Sequence, residues 1–435
     1  GDNTIKELIL HPNKTYVLDS NHTTTITSLL SLTIPQCDGW ATINSSTSNT
    51  SSKIIAAEGV DINVSGVIMS DIQVSGGANF IANNSIDNGN NTGWRFPTYT
   101  GVDLYWIGGS GNWNDKSHWS STSGGTGGYC VPGPGDNTFF NINSGFTSTS
   151  KTVTLANTSY TNNITFSGSQ IAPKLIQNGN EVLNIYGSSE WQSGMDVIDI
   201  NQIYYKHSLS NSTSPRNLNT SKTITSNGVT TGTLNSKVYL EEQSSINLID
   251  NLNIGGILSV NAGTFNTNNK TVTIGSQFIT GSNNRKTINL GESNIYLIGN
   301  NSSFRTNYST ITLNAGTSHI YFTGNLSSLS TQDTYGLIPF LNQTFYNVTY
   351  GSDYATSFGS KDQEANFNQV DLKSNANIYG NNTFNELIFA AGKTYKLETN
   401  KIQTIDNWVA GGTPCGVTFI ESTSTENPSR VKVIG

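Results

Sequence analysis

Three tryptophans and a tyrosine lie within fifteen residues of one another, between Tyr105 and Trp119, in a stretch rich in glycine and asparagine. Exposed indole rings can stack on sugar rings, so Trp106, Trp113 and Trp119 are candidate glycan contacts. The same rings could instead cap the open end of a repetitive β-structure, whose first strands would otherwise expose apolar edges. Their position at the start of a module favours the cap.

Other residue types that carry chemistry are sparse. Asn112, Asn114 and Asp115 could offer oxygen ligands to Ca²⁺, but the Asp-rich, fixed-interval loop of a strong calcium motif is missing, so no metal site is predicted. The five histidines are scattered, and the chain contains no nucleophile elbow, phosphate loop or HExxH motif. We therefore predict no catalytic residues, no cofactor and no enzymatic activity.

A long internal repeat organises the chain. Residues 3–10 and 14–18 recur as residues 382–389 and 393–397, at an offset of 379 residues at every position. The match continues, slightly out of step, through Cys37 against Cys415 and into Ser52 against Ser429. Self-similarity at a fixed offset indicates a repeat architecture. We interpret the chain as a window, slightly longer than one repeat, of a larger tandem array.

The repeat suggests how the three cysteines are used. Cys37, Cys130 and Cys415 include no CxxC pair, so a zinc site is not expected. Because Cys37 and Cys415 are repeat equivalents, the economical pairing is Cys37–Cys130, with Cys415 bonded to the counterpart of Cys130 in a next repeat. Such a bridge would close a loop of about 93 residues. The alternative is three free, buried cysteines in a reducing compartment.

Composition points to β-structure. The 435 residues include 34% hydrophobic, 10% aromatic and 12% charged residues, with a formal net charge of −7. Disordered chains usually combine low hydrophobicity with high net charge and few aromatic or β-branched residues, whereas isoleucine, valine and threonine recur throughout this chain. The mild acidity argues against a nucleic-acid partner. The sequence contains no run of about 18 apolar residues, so membrane insertion is not predicted.

Shorter periods inside the repeat predict the fold. Residues 290–299 align with residues 315–324 at an offset of 25, and an apolar-x-x-apolar-x-apolar pattern recurs downstream at spacings of 22 and 17 residues. That pattern occurs at Phe345/Val348/Tyr350, Phe367/Val370/Leu372, Phe384/Leu387/Phe389 and Ile5/Leu8/Leu10. Repeats of 17–25 residues predict a parallel β-solenoid, in which each short repeat forms one coil. The solenoid would have a narrow apolar core and ladders of Asn and Thr at its corners. The alternative is a string of β-sandwich domains, whose strands recur every 8–12 residues without a longer period.

The predicted domain organisation follows from the repeat. Residues 1–97 form the C-terminal part of one module and end in a Gly/Asn turn cluster. Pro97 breaks the strand pattern, because proline cannot donate to a ladder, and places a junction at residues 98–103. Residues 104–435 form the next module, which is incomplete at its C-terminal end.

Three motifs carry a family resemblance. The opening stretch from Trp106 to Trp119, the closing stretch from Asn84 to Trp94 and the coil motif from Leu313 to Phe322 resemble the modules of giant repetitive cell-surface adhesins of Bacteroidota. The SprB-like gliding-motility adhesins belong to this group. The resemblance implies export by the type IX secretion system, an extracellular position at the cell surface and a filamentous shape. It implies no catalytic residues.

Two functions are compatible with these features. The first is a structural and adhesive repeat of a long extracellular filament that serves surface attachment and gliding motility. Its partners would be neighbouring repeats of the same chain, external surface glycans and the motility or secretion machinery. The second is a carbohydrate-binding or polysaccharide-degrading β-helix. The scarcity of clustered charged residues favours the first.

Overall fold

The computed structural model describes residues 1–32, 39–97, 101–197, 200, 202–206, 221–231, 237–240, 245–281, 284–300, 302–306, 310–324, 336–338, 342–351, 356–360, 363–412, 414 and 416–434. The chain divides into two compact units, one of Gly1–Gln192 with Lys206–Thr220 and one of Ser193–Tyr205 with Ser221–Gly435. The described part of the chain contains no helix with the length and apolar character that crossing a bilayer needs.

The described residues of the first unit form twenty strands and one 3₁₀ helix, Lys116–His118. Its strands are β1 (Asn3–Ile9), β2 (Thr15–Leu18), β3 (Thr23–Leu32), β4 (Ala41–Ser45), β5 (Ser52–Ala56), β6 (Asp61–Ser65), β7 (Val67–Ser70), β8 (Ile72–Ser75), β9 (Ala82–Asn83), β10 (Ile86–Asp87), β11 (Asp103–Trp106), β12 (Gly111–Asn112), β13 (Trp119–Ser120), β14 (Asn137–Phe140), β15 (Thr152–Leu155), β16 (Ser159–Thr161), β17 (Ile164–Phe166), β18 (Lys174–Gln177), β19 (Leu183–Ile185) and β20 (Ser189–Glu190).

The second unit is built from strands alone in its described part. They are β21 (Asp196–Val197), β22 (Gln202–Tyr205), β23 (Ser221–Thr225), β24 (Thr230–Thr231), β25 (Lys237–Leu240), β26 (Ser245–Leu248), β27 (Leu252–Ile254), β28 (Ile257–Val260), β29 (Gly263–Asn266), β30 (Val272–Ile274), β31 (Gln277–Ile279), β32 (Lys286–Asn289), β33 (Asn294–Leu297), β34 (Ser303–Arg305), β35 (Ile311–Asn314), β36 (His319–Phe322), β37 (Gly336–Ile338), β38 (Gln343–Tyr350), β39 (Thr356–Phe358), β40 (Glu364–Leu372), β41 (Ala376–Ile378), β42 (Asn381–Phe389), β43 (Thr394–Leu397), β44 (Ile402–Ala410), β45 (Phe419–Ser422) and β46 (Arg430–Val433).

Apart from β13, which pairs with β11, the described strands pair with strands one coil away along the chain. In the first unit, β1–β10 form two sheets, ordered β8-β5-β3-β6-β9 with β1 also on β3, and β10-β7-β4-β2. From β11 onward that unit starts new sheets, with β14-β17-β20, β15-β18 and β16-β19 in successive pairs. In the second unit, coils from β21 to β35 contribute one strand to each of three sheets, and later coils contribute to two.

The pairing confirms the parallel β-solenoid. Among the strand pairs whose residues are described, all are parallel except β11–β13. The β-sandwich alternative is wrong, because sandwich sheets join antiparallel strands through short connections, whereas here a whole coil separates each pair. A parallel pair needs such a long connection, and each coil supplies it.

The observed register matches the sequence periods. In β33 and β36, Ile295 pairs with Ile320, which is the offset of 25 residues seen in the sequence. In β38, β40 and β42, Phe345, Phe367 and Phe384 lie in one row, at the spacings of 22 and 17 residues. The period holds because the same inward position must be apolar in every coil.

A thin core of stacked side chains fills the coils. Alternate strand residues point inward and are buried, as in β15 and β25. Aromatic rings in consecutive coils stack face to face, with centroid distances of 4.0 Å for Phe140–Phe166 and 4.4 Å for Phe278–Phe304. Because only two or three side chains per strand face inward, a chain of modest hydrophobicity is sufficient to form this core.

An asparagine ladder runs along the outer side of one sheet in the second unit. The amide nitrogens of Asn266, Asn289 and Asn314 donate to the side-chain oxygens of the preceding asparagine, at 2.6, 2.5 and 2.7 Å respectively. The row starts at Asn247, whose amide reaches the carbonyl of Lys222 at 3.3 Å. A ladder is therefore present for asparagine, but it lies within strands β26, β29, β32 and β35 and not at the predicted corners.

The long repeat is also a structural repeat. Strands β1–β5 and β42–β46 share their order, and each pair follows the same parallel pattern: β1–β3 as β42–β44, β2–β4 as β43–β45, and β3–β5 as β44–β46. In β3, Thr27 and Ser28 stand opposite the single residue Lys6, whereas β44 pairs with β42 without a bulge. This β-bulge takes up one extra residue in the first copy and accounts for the first slip in the offset.

The predicted module junction coincides with a change of sheets. Strands β1–β10 pair only with one another among the described residues, and β11 begins a new set. Residues 98–100 of the predicted junction, at 98–103, lie outside the described residues. The division into two compact units falls elsewhere, between residues 192 and 221, so the module boundaries at 1–97 and 104–435 stay a prediction.

Candidate functional site

The tryptophan cluster lies where two sheets begin. Trp106 ends β11, Trp113 follows β12 and Trp119 begins β13. β12 and β13 are edge strands of two sheets, and β11 lies next to β13. All three side chains are 0% exposed. Trp119 packs edge-on against both other indoles, with centroids 5.1 Å apart, and all three contact the ring of Phe140.

Hydrogen bonds and one histidine fix the cluster. The indole N–H groups of Trp106 and Trp119 donate to the carbonyls of Gly109 and Trp113, each at 2.7 Å. His118 stacks on Trp106 with centroids 4.7 Å apart, and its Nδ1 lies 2.8 Å from the carbonyl of Ile107, to which it donates. A Cβ at Gly111 would lie 2.1 Å from His118 Nε2, so the imidazole needs glycine there.

Burial removes the glycan-contact interpretation of this cluster. A sugar ring stacks on an exposed aromatic face, and Trp106, Trp113 and Trp119 present none. The three residues lie on or next to the strands at one edge of two sheets, where β13 pairs antiparallel with β11. Their role as a cap stays a prediction.

The loop between Trp113 and Trp119 uses its acidic residue as a helix cap. The Asp115 carboxylate accepts the backbone N–H of Ser117 at 2.9 Å, at the start of the 3₁₀ helix Lys116–His118. This backbone hydrogen bond lowers the pKa of Asp115 below its ordinary value. No group of three or more His, Cys, Asp or Glu side chains that could hold a metal ion occurs among the described residues.

Of the three cysteines, only Cys130 belongs to the described residues. Cys37 and Cys415 lie outside them, so the predicted pairing stays a prediction. Nearby, the chain after Cys130 packs on the segment after Cys37: a Cβ at Gly133 would lie 2.2 Å from the indole nitrogen of Trp40. The two segments that the predicted bridge would join are therefore adjacent.

A polar cavity opens between the first segment and the coils after the tryptophan cluster. Its volume is about 270 Å³. One wall comes from β2, β4 and the turns before them, and the other from β16 and the turns around it and before β19. Its lining residues are Asn13, Lys14, Thr15, Trp40, Thr42, Asn157, Thr158, Tyr160, Asn180 and Glu181.

Hydrogen bonds within one wall and between the two walls fix this junction cavity. Within the first wall, the backbone N–H of Asn13 donates to the carbonyl of Trp40 at 3.0 Å, and that of Thr42 donates to the carbonyl of Lys14 at 2.9 Å. The hydroxyl of Tyr160 is hydrogen-bonded to the side chain of Thr42 on the opposite wall, and burial raises the pKa of Tyr160. Sequence reasoning missed this site, because residues 40 and 160 share no motif or period.

Comparison with known proteins gives no match: no protein-family model, no curated protein and no solved structure is similar to this chain.

Proposed function

We propose that this chain is a structural and adhesive repeat of a long extracellular protein at the cell surface. Stacked coils with continuous hydrogen-bond ladders transmit load along the stack, because neighbouring coils are held together by every strand pair between them. In this proposal the chain works mechanically, by holding an adhesive surface away from the cell.

The recurrence of β1–β5 as β42–β46 carries the proposal. In the first copy, Ile54 of β5 is buried because β8 pairs with it, Ile54 to Val74. Its counterpart in β46, Val431, is 40% exposed. A strand equivalent to β8 would bury it. Exposed apolar rows of this kind mark interaction surfaces. A further coil of the same type, from a following repeat, fits the exposed row.

The family resemblance supports a more specific role. Opening, closing and coil motifs like those of giant Bacteroidota adhesins suggest export by the type IX secretion system and attachment at the cell surface. We propose gliding motility as the process served, with the motility or secretion machinery as partners at the base and external surface glycans as contacts.

The predicted Cys37–Cys130 bridge fits the same proposal. It would fasten the first segment to the coils that follow, at the place where Gly133 already packs against Trp40. Cys415 would fasten the following repeat in the same way. A covalent clamp at each junction would keep the modules aligned under tension.

The experiment that tests the stalk is a tandem chain. Residues 434 and 57 are equivalent in the register of β46 and β5, so residues 1–434 can be followed directly by residues 58–434. Small-angle scattering should show an unchanged cross-section and a maximum dimension that grows by roughly one repeat, since coils add along one axis. A cross-section that grows with the added mass, or a second copy that stays unfolded by circular dichroism, would contradict the proposal.

A further inference from the structure

The junction cavity has the chemistry of a ligand site. It combines two aromatic side chains, three asparagine amides, three threonine hydroxyls, one cation and one anion, contributed by two segments more than a hundred residues apart. A volume of about 270 Å³ lies just below the range of about 300–1,000 Å³ that is typical of small-molecule sites. It therefore suits one small polar group.

One carboxylate oxygen in this wall has no partner. Glu181 Oε2 is buried and makes no hydrogen bond among the described residues. Gly179, at φ 112°, leaves room for it, because a Cβ there would lie 2.9 Å from Oε2. A buried carboxylate oxygen without a donor has lost its hydration without compensation, so turning the Glu181 carboxylate toward a donor in the cavity would be favourable.

We propose that the junction cavity binds one neutral sugar residue. Its hydroxyl groups would donate to Glu181 and exchange hydrogen bonds with the asparagine and threonine side chains, and its apolar face would pack on Trp40 or Tyr160. A phosphate or another anion is disfavoured, because Lys14 is the only cation in the lining and Glu181 opposes it. The proposal stands on the cavity and does not depend on the stalk.

The second copy of the repeat shows that the coil does not require this lining. The register of β2–β4 and β43–β45 places Phe419 where the first copy has Thr42, and two positions earlier Val417 stands where it has Trp40. Lys14, by contrast, recurs as Lys393. The aromatic and amide lining therefore belongs to this junction, and the second copy provides a matched control position.

The experiment is a calorimetric titration of the full chain with glucose, galactose, mannose, N-acetylglucosamine and their disaccharides. We compare the unaltered chain with Glu181→Gln, Trp40→Val and the control Lys393→Ala, after checking each by circular dichroism and thermal melting. At least one neutral sugar should bind saturably. Glu181→Gln should weaken that binding by roughly tenfold, because a charged acceptor is replaced by a neutral amide. Trp40→Val should weaken it further, and Lys393→Ala should leave it unchanged.

Three outcomes would overturn the proposal. The first is that no neutral sugar in the panel saturates the unaltered chain. The second is that Glu181→Gln, which preserves side-chain shape, binds sugar as well as the unaltered chain does. The third is that inorganic phosphate or ethanolamine binds in preference to every sugar, which would make the cavity a site for a charged ligand. None of these results bears on the tandem-chain experiment.

Discussion

At the scale of single residues, buried polar groups define where each coil turns. The hydroxyl of Ser52 lies 2.9 Å from the carbonyls of both Leu18 and Asp19, and the equivalent Ser429 lies 2.7 and 2.9 Å from the carbonyls of Leu397 and Glu398. The carbonyls of Leu18 and Leu397 also accept a backbone N–H, from Ser46 at 2.7 Å and from Thr423 at 2.8 Å, so the serine adds a further polar contact at the corner. The same serine makes the same contacts in both copies.

A buried lysine makes stability depend on pH. Lys222 of β23 is 3% exposed, and burial lowers its pKa from 10.5 to about 7. Between these two values the unfolded chain binds the proton more tightly than the folded chain does, so the free energy of unfolding should rise as pH increases from 7 to 10.5. Below about pH 7 the amine is protonated in both states and the full cost is present.

Replacing this lysine should remove that dependence. We expect Lys222→Met to raise the free energy of unfolding at pH 7 by an amount on the order of a few kcal/mol, and to gain little near pH 10.5, where the amine is neutral in both states. Urea unfolding at pH 7, 8.5 and 10 measures the difference. Lys53→Met, at an exposed position of β5, is the control. Parallel pH profiles for the unaltered chain and Lys222→Met would contradict this account.

At the scale of elements, the strand register was predictable and the cavity was not. The pairing of Phe345, Phe367 and Phe384 can be read from the recurring apolar pattern. The pattern recurs because every coil buries the side chain at the same inward position. The location of the tryptophan cluster was predictable from the sequence, but the burial of its side chains was not. A buried cap and an exposed sugar-binding surface both use tryptophan. Glu181 and Trp40 line one cavity only because two segments dock, and docking leaves no periodic pattern in the sequence.

Each side-chain hydrogen bond of the asparagine ladder should add to the stability of its sheet. Asn289 donates to Asn266 and accepts from Asn314, so Asn289→Ala breaks two side-chain hydrogen bonds in the middle of the row. At about 0.5–1.5 kcal/mol for each bond, the loss in the free energy of unfolding should be about 1–3 kcal/mol. Asn314→Ala, at the exposed end of the described row, breaks one and should cost about half as much. Equal losses in denaturant unfolding would show that the ladder does not act as a row.

At the scale of the whole molecule, the disulfide arrangement tests how modules are joined. Trypsin should release Cys37, Cys130 and Cys415 in separate peptides, residues 15–53, 117–151 and 402–430. Under non-reducing conditions we expect the first two to be linked, and mass spectrometry detects the linked pair directly. Cys130→Ser should then lower the free energy of unfolding by about 4–5 kcal/mol, as the chain-entropy estimate gives for a loop of about 93 residues. A link that includes peptide 402–430 would refute the predicted pairing.

The repeat also predicts that coils are interchangeable between copies. Ile420 and Val433 are 38% and 59% exposed, whereas the residues at their register positions in the first copy, Ile43 and Ala56, are 3% and 0% exposed. In the first copy, β7 covers Ile43 by pairing it with Met69. Residues 59–97 appended after Gly435 should therefore bury the same row in the second copy.

The grafted chain should melt at a higher temperature and bind less of a dye that reports exposed apolar surface, because the added strands remove that surface from water. The matched control is the same graft with Met69 and Val74 of the added segment changed to Asp, which keeps its length but places charge on the inward face. If the graft and its control melt alike, the two copies share a sequence pattern without sharing an interface, and a tandem stack would need another form of contact between its repeats.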